Sequence, residues 1–383
     1  MMTGNDRTRY PIAAVRERLR RHGGPVLDFA VGPHREQPPS ELKKILGTDP
    51  EEALRRPCSE DELTEFASAA AGMMRRIYGV EVSPTAVLPV PGGRTAMSFL
   101  ASTLIRPGDG VAVVEPAYPA FTRVAQQIHA SVAIVPLDPG RGFMPDVAAL
   151  DDDAVAGISF AALNFPNNPT GAVLETDALM PFLQRFRPGT VVFNDATYGP
   201  LVFDRAPWSL LSEAAASGER LRLLELHSLA KLFALGPLAV AFLVGDEGII
   251  SELREFSEYA WSDQSSLQIQ VALRCLEDGD RFNQVRDVYS GRLERLRQVV
   301  EGLGFEPFPA ASGMYLVCRT PSAIGGRIVT DAEQAAEMLL THHGVAVVPW
   351  NVHPTSYLRF SSQYAEEDLD ALAALGANGP LAT

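Results

Sequence analysis

Two short segments carry the groups best suited to chemistry: Asn194-Asp195-Ala196-Thr197-Tyr198 and Ser228-Leu229-Ala230-Lys231. Each follows an apolar run that reads as a buried strand. Each polar cluster is therefore expected at the carboxyl end of its strand, where open α/β sheets gather their ligands. An acid, a phenol and a lysine delivered to one crevice are the parts needed to hold pyridoxal phosphate.

Three further segments could join them. Pro91-Gly92-Gly93-Arg94-Thr95-Ala96-Met97 is a glycine turn running into a helix. Such a terminus offers unpaired N–H groups and the positive end of the helix dipole to an anion, although glycine pairs also serve as plain turns. In Glu115-Pro116-Ala117-Tyr118-Pro119 the tyrosine can lie flat on an aromatic ring or simply pack at a helix start. Asn164-Phe165-Pro166-Asn167-Asn168-Pro169-Thr170-Gly171 is more specific, because a strand ending in a proline-punctuated turn holds an asparagine at a defined angle.

The elements that must position these groups follow from pattern. Candidate strands are Ala86–Val90, Gly110–Glu115, Gly157–Leu163, Thr190–Asn194, Arg222–Leu226 and Leu238–Val244. Helical stretches such as Arg94–Ile105, Ala117–Ile128 and Thr176–Phe186 lie between them, which predicts a mostly parallel sheet with crossover helices. A long helical segment, rich in Leu, Arg and Glu, runs from Glu247 to about Leu303. Beyond it, short strands Gly313–Cys318, Val345–Pro349 and Tyr357–Phe360 around a helix near Asp331–His342 suggest a small α+β domain. The expected division is an N-terminal segment 1–41 packing with the small domain, a large domain 42–246, a helical connection 247–303 and the small domain 304–383.

Bulk properties bound the answer. The 383 residues suffice for one large domain and a smaller one. With 33 basic and 47 acidic residues the net charge is −14, which argues against nucleic acid or an anionic membrane as partner. The three cysteines, Cys58, Cys275 and Cys318, lack metal-ligand spacing and read as reduced. Met1 to Arg21 is charged, without the apolar stretch of a secretory signal. No apolar run reaches the roughly eighteen residues of a crossing helix. A cytoplasmic protein without bound metal is expected.

In their order, the glycine turn, Pro-Ala-Tyr, Asn-Asn-Pro-Thr-Gly, Asp-Ala-Thr-Tyr, Ser-Leu-Ala-Lys and Tyr-Leu-Arg-Phe resemble the class I/II, fold-type I pyridoxal-phosphate aminotransferases, from Gly32 to Arg359. The resemblance implies an α/β fold, with a large domain built on a mostly parallel, helix-flanked sheet plus a small α+β domain. It implies that Lys231 forms the Schiff base with pyridoxal 5'-phosphate and then carries protons. Asp195 is implied to pair with the pyridine nitrogen and keep the ring an electron sink. Asn168 and Tyr198 are implied to hydrogen-bond the cofactor's phenolic oxygen, and Tyr118 to stack on its ring. Gly93, Arg94, Thr95 and Ser228 are implied to hold the phosphate. Arg359, with its guanidinium fork, and the backbone of Gly32 are implied to bind the substrate α-carboxylate. The partners so implied are an amino acid, a keto acid and a second copy of the chain in a homodimer.

The chain departs from the family pattern in several places. Six and eight residues after the lysine, where the family has glycine and a phosphate-gripping arginine, stand Pro237 and Ala239; the serine before the lysine is Ala230. Arg94 is the expected substitute. Leu54-Arg55-Arg56-Pro57-Cys58 lacks the tyrosine a neighbouring subunit lends to the phosphate, a role Arg55 or Arg56 could take. The loop before Arg359 looks short and carries Trp350, Asn351 and His353, which could line the substrate mouth. Transamination is the leading expectation. Elimination with cyclisation, or oxygen-dependent oxidation of an arginine-like or hydroxylated amino acid, stays open on the same residues. A non-enzymatic regulator is disfavoured by the presence of Lys231, Asp195 and Arg359 together.

Overall fold

Apolar runs without alternation should form strands covered on both faces, and the middle of the chain does so. The structure is a computed structural model that describes residues 11–31, 37, 55–214, 221–261, 264–352 and 355–383. Gly32 and His353 lie outside the described residues. The chain divides into two compact units, one of residues 36–168 and 172–287, the other of residues 1–35, 169–171 and 288–383.

β1 (Leu27–Asp28) belongs to the smaller unit. The larger unit contains β2 (Val87–Val90), β3 (Gly110–Glu115), β4 (Ser131–Asp138), β5 (Met144–Pro145), β6 (Ile158–Leu163), β7 (Val191–Asp195), β8 (Arg222–Ser228) and β9 (Ala241–Gly245). They form one sheet in the order β2-β9-β8-β7-β6-β3-β4-β5. The run β4-β3-β6-β7-β8 is parallel. β9 is antiparallel to both β8 and β2, so β2 points the same way as the parallel strands. β4 and β5 were not among the expected strands. β4 is only partly buried and holds Pro136, both of which blunt the strand signal.

Alternation along each strand divides the sheet into two faces. On one face Phe160, Phe193, Leu224, Leu226 and Leu243 pack beneath the helices Gly93–Leu104, Ala120–Gln127 and Glu247–Ala260. Phe121 stacks against Phe160 and Phe193 there, with ring centroids 5.1 and 5.4 Å apart. On the other face Phe242 meets Phe66 of the helix Glu60–Met73 edge-on and stacks with His227.

The expected long helical segment comprises three helices: Glu247–Ala260, Ser266–Glu277 and Gly279–Gly302. Reciprocal hydrogen bonds between Ser265 and Gln268 start the second.

The smaller unit is built on the antiparallel sheet β10-β15-β14, where β10 is Tyr315–Arg319, β14 Val348–Val352 and β15 Thr355–Ser361. A hairpin, β11 (Ala323–Ile324) with β12 (Arg327–Ile328), lies in the same unit. β13 (Val345–Ala346) pairs in parallel with β1, Leu27 opposite Val345. The helix Ala332–His343 starts at Asp331, whose side chain accepts from Gln334 N.

Candidate active site

The parallel direction of β2, β3, β6, β7 and β8 brings five of the expected segments out at one edge of the large sheet. After β2, the chain enters the helix Gly93–Leu104 through Gly92, which has φ 99° and ψ 155°. No side chain caps this helix, so its first N–H groups point outward at the positive end of the dipole. Gly92 is required there: a Cβ would lie 2.9 Å from Ala239 Cβ and 3.2 Å from Ala239 O. A Cβ on Gly93 would approach Leu226 Cδ2 at 3.2 Å, so the helix start lies over the face of β8 that carries Leu226 and, two residues on, Ser228. Arg94 and Thr95 are exposed at this terminus.

Tyr118 follows β3, and Asn168 follows β6 in a buried turn. The two turns are tied together: Asn167 Nδ2 donates to Pro116 O at 3.0 Å and to Asn164 O at 3.2 Å. Asn164 makes further links. Its Oδ1 accepts from Tyr118 N and from Asn168 N, each at 3.2 Å, and its Nδ2 donates to Asp195 O at 3.1 Å.

Asp195 ends β7 with 6 % of its surface exposed. Its Oδ1 accepts from Thr197 Oγ1 at 2.6 Å and Thr197 N at 3.2 Å. Burial pushes its pKa up, against the pull of the two Thr197 hydrogen bonds and of the charges of His227 and Lys231. Tyr198 is buried in the turn that follows, where Gly199 N donates to Ala196 O at 2.8 Å. Lys231 leaves β8 in a helical turn, in which Phe233 N donates to Leu229 O at 3.1 Å and Leu235 N to Ala230 O at 3.0 Å. The buried Leu229, Leu232 and Phe233 anchor that turn and leave the lysine partly exposed. Ala234 and Ala239 both have left-handed φ, 54° and 52°.

Arg359 belongs to the smaller unit, on the central strand β15. It is 2 % exposed, its guanidinium carbon lies 3.9 Å from the Tyr315 ring centroid, and its Nη2 donates to Ala30 O at 3.3 Å. Gly32 falls outside the described residues. Arg56 is engaged within its own chain, donating to Glu62 at 2.7 Å and Ser266 at 2.6 Å. Trp350 and Asn351 lie on β14.

Sequence reasoning assigned no role to Asn164, Thr197 or the polar cluster on the far face of β7 and β8. In that cluster Glu225, His227, Asn194, Ser209 and Tyr78 are all buried. The available signal was a Glu and a His interrupting the apolar run that leads into Ser228-Leu229-Ala230-Lys231.

Residues 53–374 match the family described as aminotransferase class I and II. The chain is 27 % identical to the LL-diaminopimelate aminotransferase of Methanocaldococcus jannaschii over 363 residues, which is 93 % of this chain and 85 % of that one. It is 32 % identical over 250 residues to the 4-dedimethylamino-4-oxo-anhydrotetracycline transaminase OxyQ of Streptomyces rimosus, covering 65 % and 66 % of the two chains. A substrate-bound structure of BacF from Bacillus subtilis shares the fold, with a TM-score of 0.86, 23 % identity and coverage of 98 % and 96 %. Enzymes of this family in general depend on pyridoxal phosphate and act on amino acids and keto acids. With the family match spanning most of its length and an α/β fold on a mostly parallel central sheet, this chain belongs to the class I and II aminotransferases.

Proposed function

We propose that the carboxyl edge of the large sheet holds pyridoxal 5'-phosphate and that the enzyme uses it to pass an amino group from an L-amino acid to a keto acid. One observation carries this reading: Asp195 is a buried carboxylate at a strand end whose burial disfavours its charge. Such a group calls for a cation, and a protonated pyridine ring is one. The other donors fit the same ligand. An uncapped helix start suits a phosphate, the glycine turn leaves room for its close approach, and a lysine stands on the neighbouring strand end.

The bound cofactor supplies an electron sink for the substrate α-carbon. Asp195 keeps the ring nitrogen protonated. Asn168 and Tyr198 hydrogen-bond the phenolic oxygen, and Tyr118 lies against the ring. Gly93, Arg94, Thr95 and Ser228 hold the phosphate, with Arg94 supplying the cation that Ala239 does not. Lys231 is the point of covalent attachment, and its Nζ afterwards holds and moves the α-proton. Arg359 and Gly32 orient the α-carboxylate of donor and acceptor alike. In this reading residues 42–246 are the cofactor-holding domain, 247–303 the helical connection, and 304–383 with 1–41 the small domain; the compact units instead divide the connection, 247–287 falling in the larger and 288–303 in the smaller.

We also place the enzyme in the cytoplasm, as a homodimer. The larger unit carries a groove of about 510 Å³ lined by apolar residues such as Leu63, Val87 and Trp261 and by the charged Glu60, Arg254 and Glu258. Tyr259, 81 % exposed on the helix Glu247–Ala260 that borders the groove, is a large apolar side chain of the kind that a dimer interface would cover. Among the described residues no helix is long and apolar enough to cross a membrane. Sedimentation of the purified protein tests the dimer; a monomer at micromolar concentration overturns it.

Product analysis by mass spectrometry tests the reaction, using a panel of amino acids with and without a keto acid and air. The expected result is turnover that requires the keto acid and disappears in Lys231→Ala. Turnover without an acceptor, or with oxygen consumption, favours elimination, cyclisation or oxidation instead. That the named relatives are transaminases supports the transfer reading.

A further inference from the structure

Asn164 is 5 % exposed and sits at the point where β6 gives way to the turn bearing Asn168. Its carboxamide has three partners on three different strand exits: the N–H of Tyr118 after β3, the N–H of Asn168 after β6 and the carbonyl of Asp195 on β7. The orientation of the amide is fixed by those partners. Two N–H donors require the oxygen and a carbonyl requires the NH2, so the flipped amide would oppose like groups at all three contacts. Main-chain pairing cannot supply these links. β6 and β7 end their pairing at Leu163 opposite Asn194, and the last matched pair of β3 and β6 is Val113 with Ala162. Beyond those pairs side chains make the links: Asn167 ties the exits of β3 and β6, Asn194 ties Phe165 to β7, and Asn164 alone among these three reaches all three exits.

We infer that Asn164 is a positioning residue that makes the backbones of Tyr118, Asn168 and Asp195 one rigid unit at the cofactor site. The inference rests on the reading that those three residues face the cofactor. Buried amide networks of this kind are satisfied only in one geometry, and each member left without its partner is costly. One side chain therefore ties together the backbone positions from which the proposed stacking ring, phenolic-oxygen partner and ring-nitrogen carboxylate project. Asn164 itself touches none of the reacting atoms in this scheme.

Hydrogen exchange read by mass spectrometry on the cofactor-free protein tests the link, and titration with pyridoxal phosphate tests its consequence. In Asn164→Ala the amides of Tyr118 and Asn168 are expected to lose protection together, and the dissociation constant for the cofactor to rise about tenfold or more. In Asn164→Asp, which keeps the accepting oxygen and replaces the NH2, both amides are expected to stay protected while the segment around Asp195 alone loosens. A general packing defect does not produce that split. Unchanged protection of both amides in Asn164→Ala overturns the proposal. If Asn164→Ala does not fold, the Asp variant decides: loss of protection at Tyr118 and Asn168 there overturns it equally. Failure of the functional reading is distinguishable, since the wild-type protein then binds no pyridoxal phosphate while the exchange pattern still holds.

Discussion

Glu225 Oε2 lies 3.3 Å from His227 Nε2, two residues apart on one face of β8, with side-chain exposures of 0 % and 2 %. The carboxylate also accepts from Ser209 Oγ and Leu210 N, each at 2.6 Å, and from Asn194 Nδ2 at 3.2 Å. Tyr78 OH closes the cluster 3.5 Å from His227 Nδ1. Burial opposes the charge of Glu225, yet His227, Ser209 and Leu210 together hold its pKa below the ordinary 4.5. A depressed folded-state pKa makes stability present above the ordinary value and lost as pH falls through and below it. Removing Glu225 leaves the buried donors of Ser209, Leu210 and Asn194 without their acceptor, at about 1–3 kcal/mol each, so roughly 3 kcal/mol or more together. Glu225→Ala is therefore expected to lose that much in denaturant unfolding at neutral pH. Glu225→Gln is expected to flatten the acid limb of the stability curve. A loss within about 1 kcal/mol for the alanine variant contradicts the assignment.

Asp195 carries the opposite sign. Burial raises its folded-state pKa even with the charges of His227 and Lys231 opposing, so in the cofactor-free protein its contribution to stability is greatest at low pH and declines as pH rises through the folded value. Asp195→Asn keeps an oxygen that accepts from Thr197 N and Oγ1 but carries no charge. The cofactor-free variant should therefore melt at or above the wild-type temperature at alkaline pH. Its affinity for pyridoxal phosphate and its transamination rate should fall together, because the ring nitrogen has lost its counter-charge. A cofactor-free variant less stable than wild type across the whole pH range contradicts this account.

The two residues also show what was legible beforehand. Asp195 stood out because it ends an apolar run and precedes a tyrosine, and β3, β6, β7 and β8 emerged within two residues of the expected bounds, since doubly buried strands read as largely apolar runs even where, as in β8, Glu225 and His227 interrupt them. β4 did not, because a half-exposed strand containing Pro136 loses that signal. Glu225 was visible as a letter but not as a partner. Its value depends on a register that sets it opposite Asn194 and within reach of Ser209, and register is a property of the assembled sheet. Asn164 escaped for the same reason: its three partners are backbone groups, which leave no trace in residue type.

Two neighbours at the helix start should respond differently to alanine. Gly92 has φ 99°, and a Cβ there would strike the backbone and side chain of Ala239. Gly92→Ala is expected to lower stability by about 1–3 kcal/mol from backbone strain alone, with the clash added. Arg94 is exposed, so Arg94→Ala should leave the melting temperature of the cofactor-free protein unmoved while weakening cofactor retention about tenfold or more. Equilibrium dialysis against pyridoxal phosphate, paired with thermal melts, separates the two. An Arg94→Ala protein that retains the cofactor as tightly as wild type means that backbone amides alone hold the phosphate.

Arg359 yields a kinetic prediction. Its guanidinium carbon lies over the Tyr315 ring, 3.9 Å from the centroid, a cation–π contact that restrains the fork. Lysine keeps the charge but has neither the plane nor the second donor pair, so Arg359→Lys is not a conservative change. The loss of one hydrogen bond to a charged group is worth about 1.5–3 kcal/mol, or roughly 10–100-fold in affinity. Amino donor and keto acceptor both present an α-carboxylate. KM should therefore rise by that factor for both half-reactions, with kcat changed less. Tyr315→Leu, which removes the ring but not the fork, should raise both KM values by a smaller factor. A variant in which only one substrate's KM moves places Arg359 against a side chain rather than the common carboxylate.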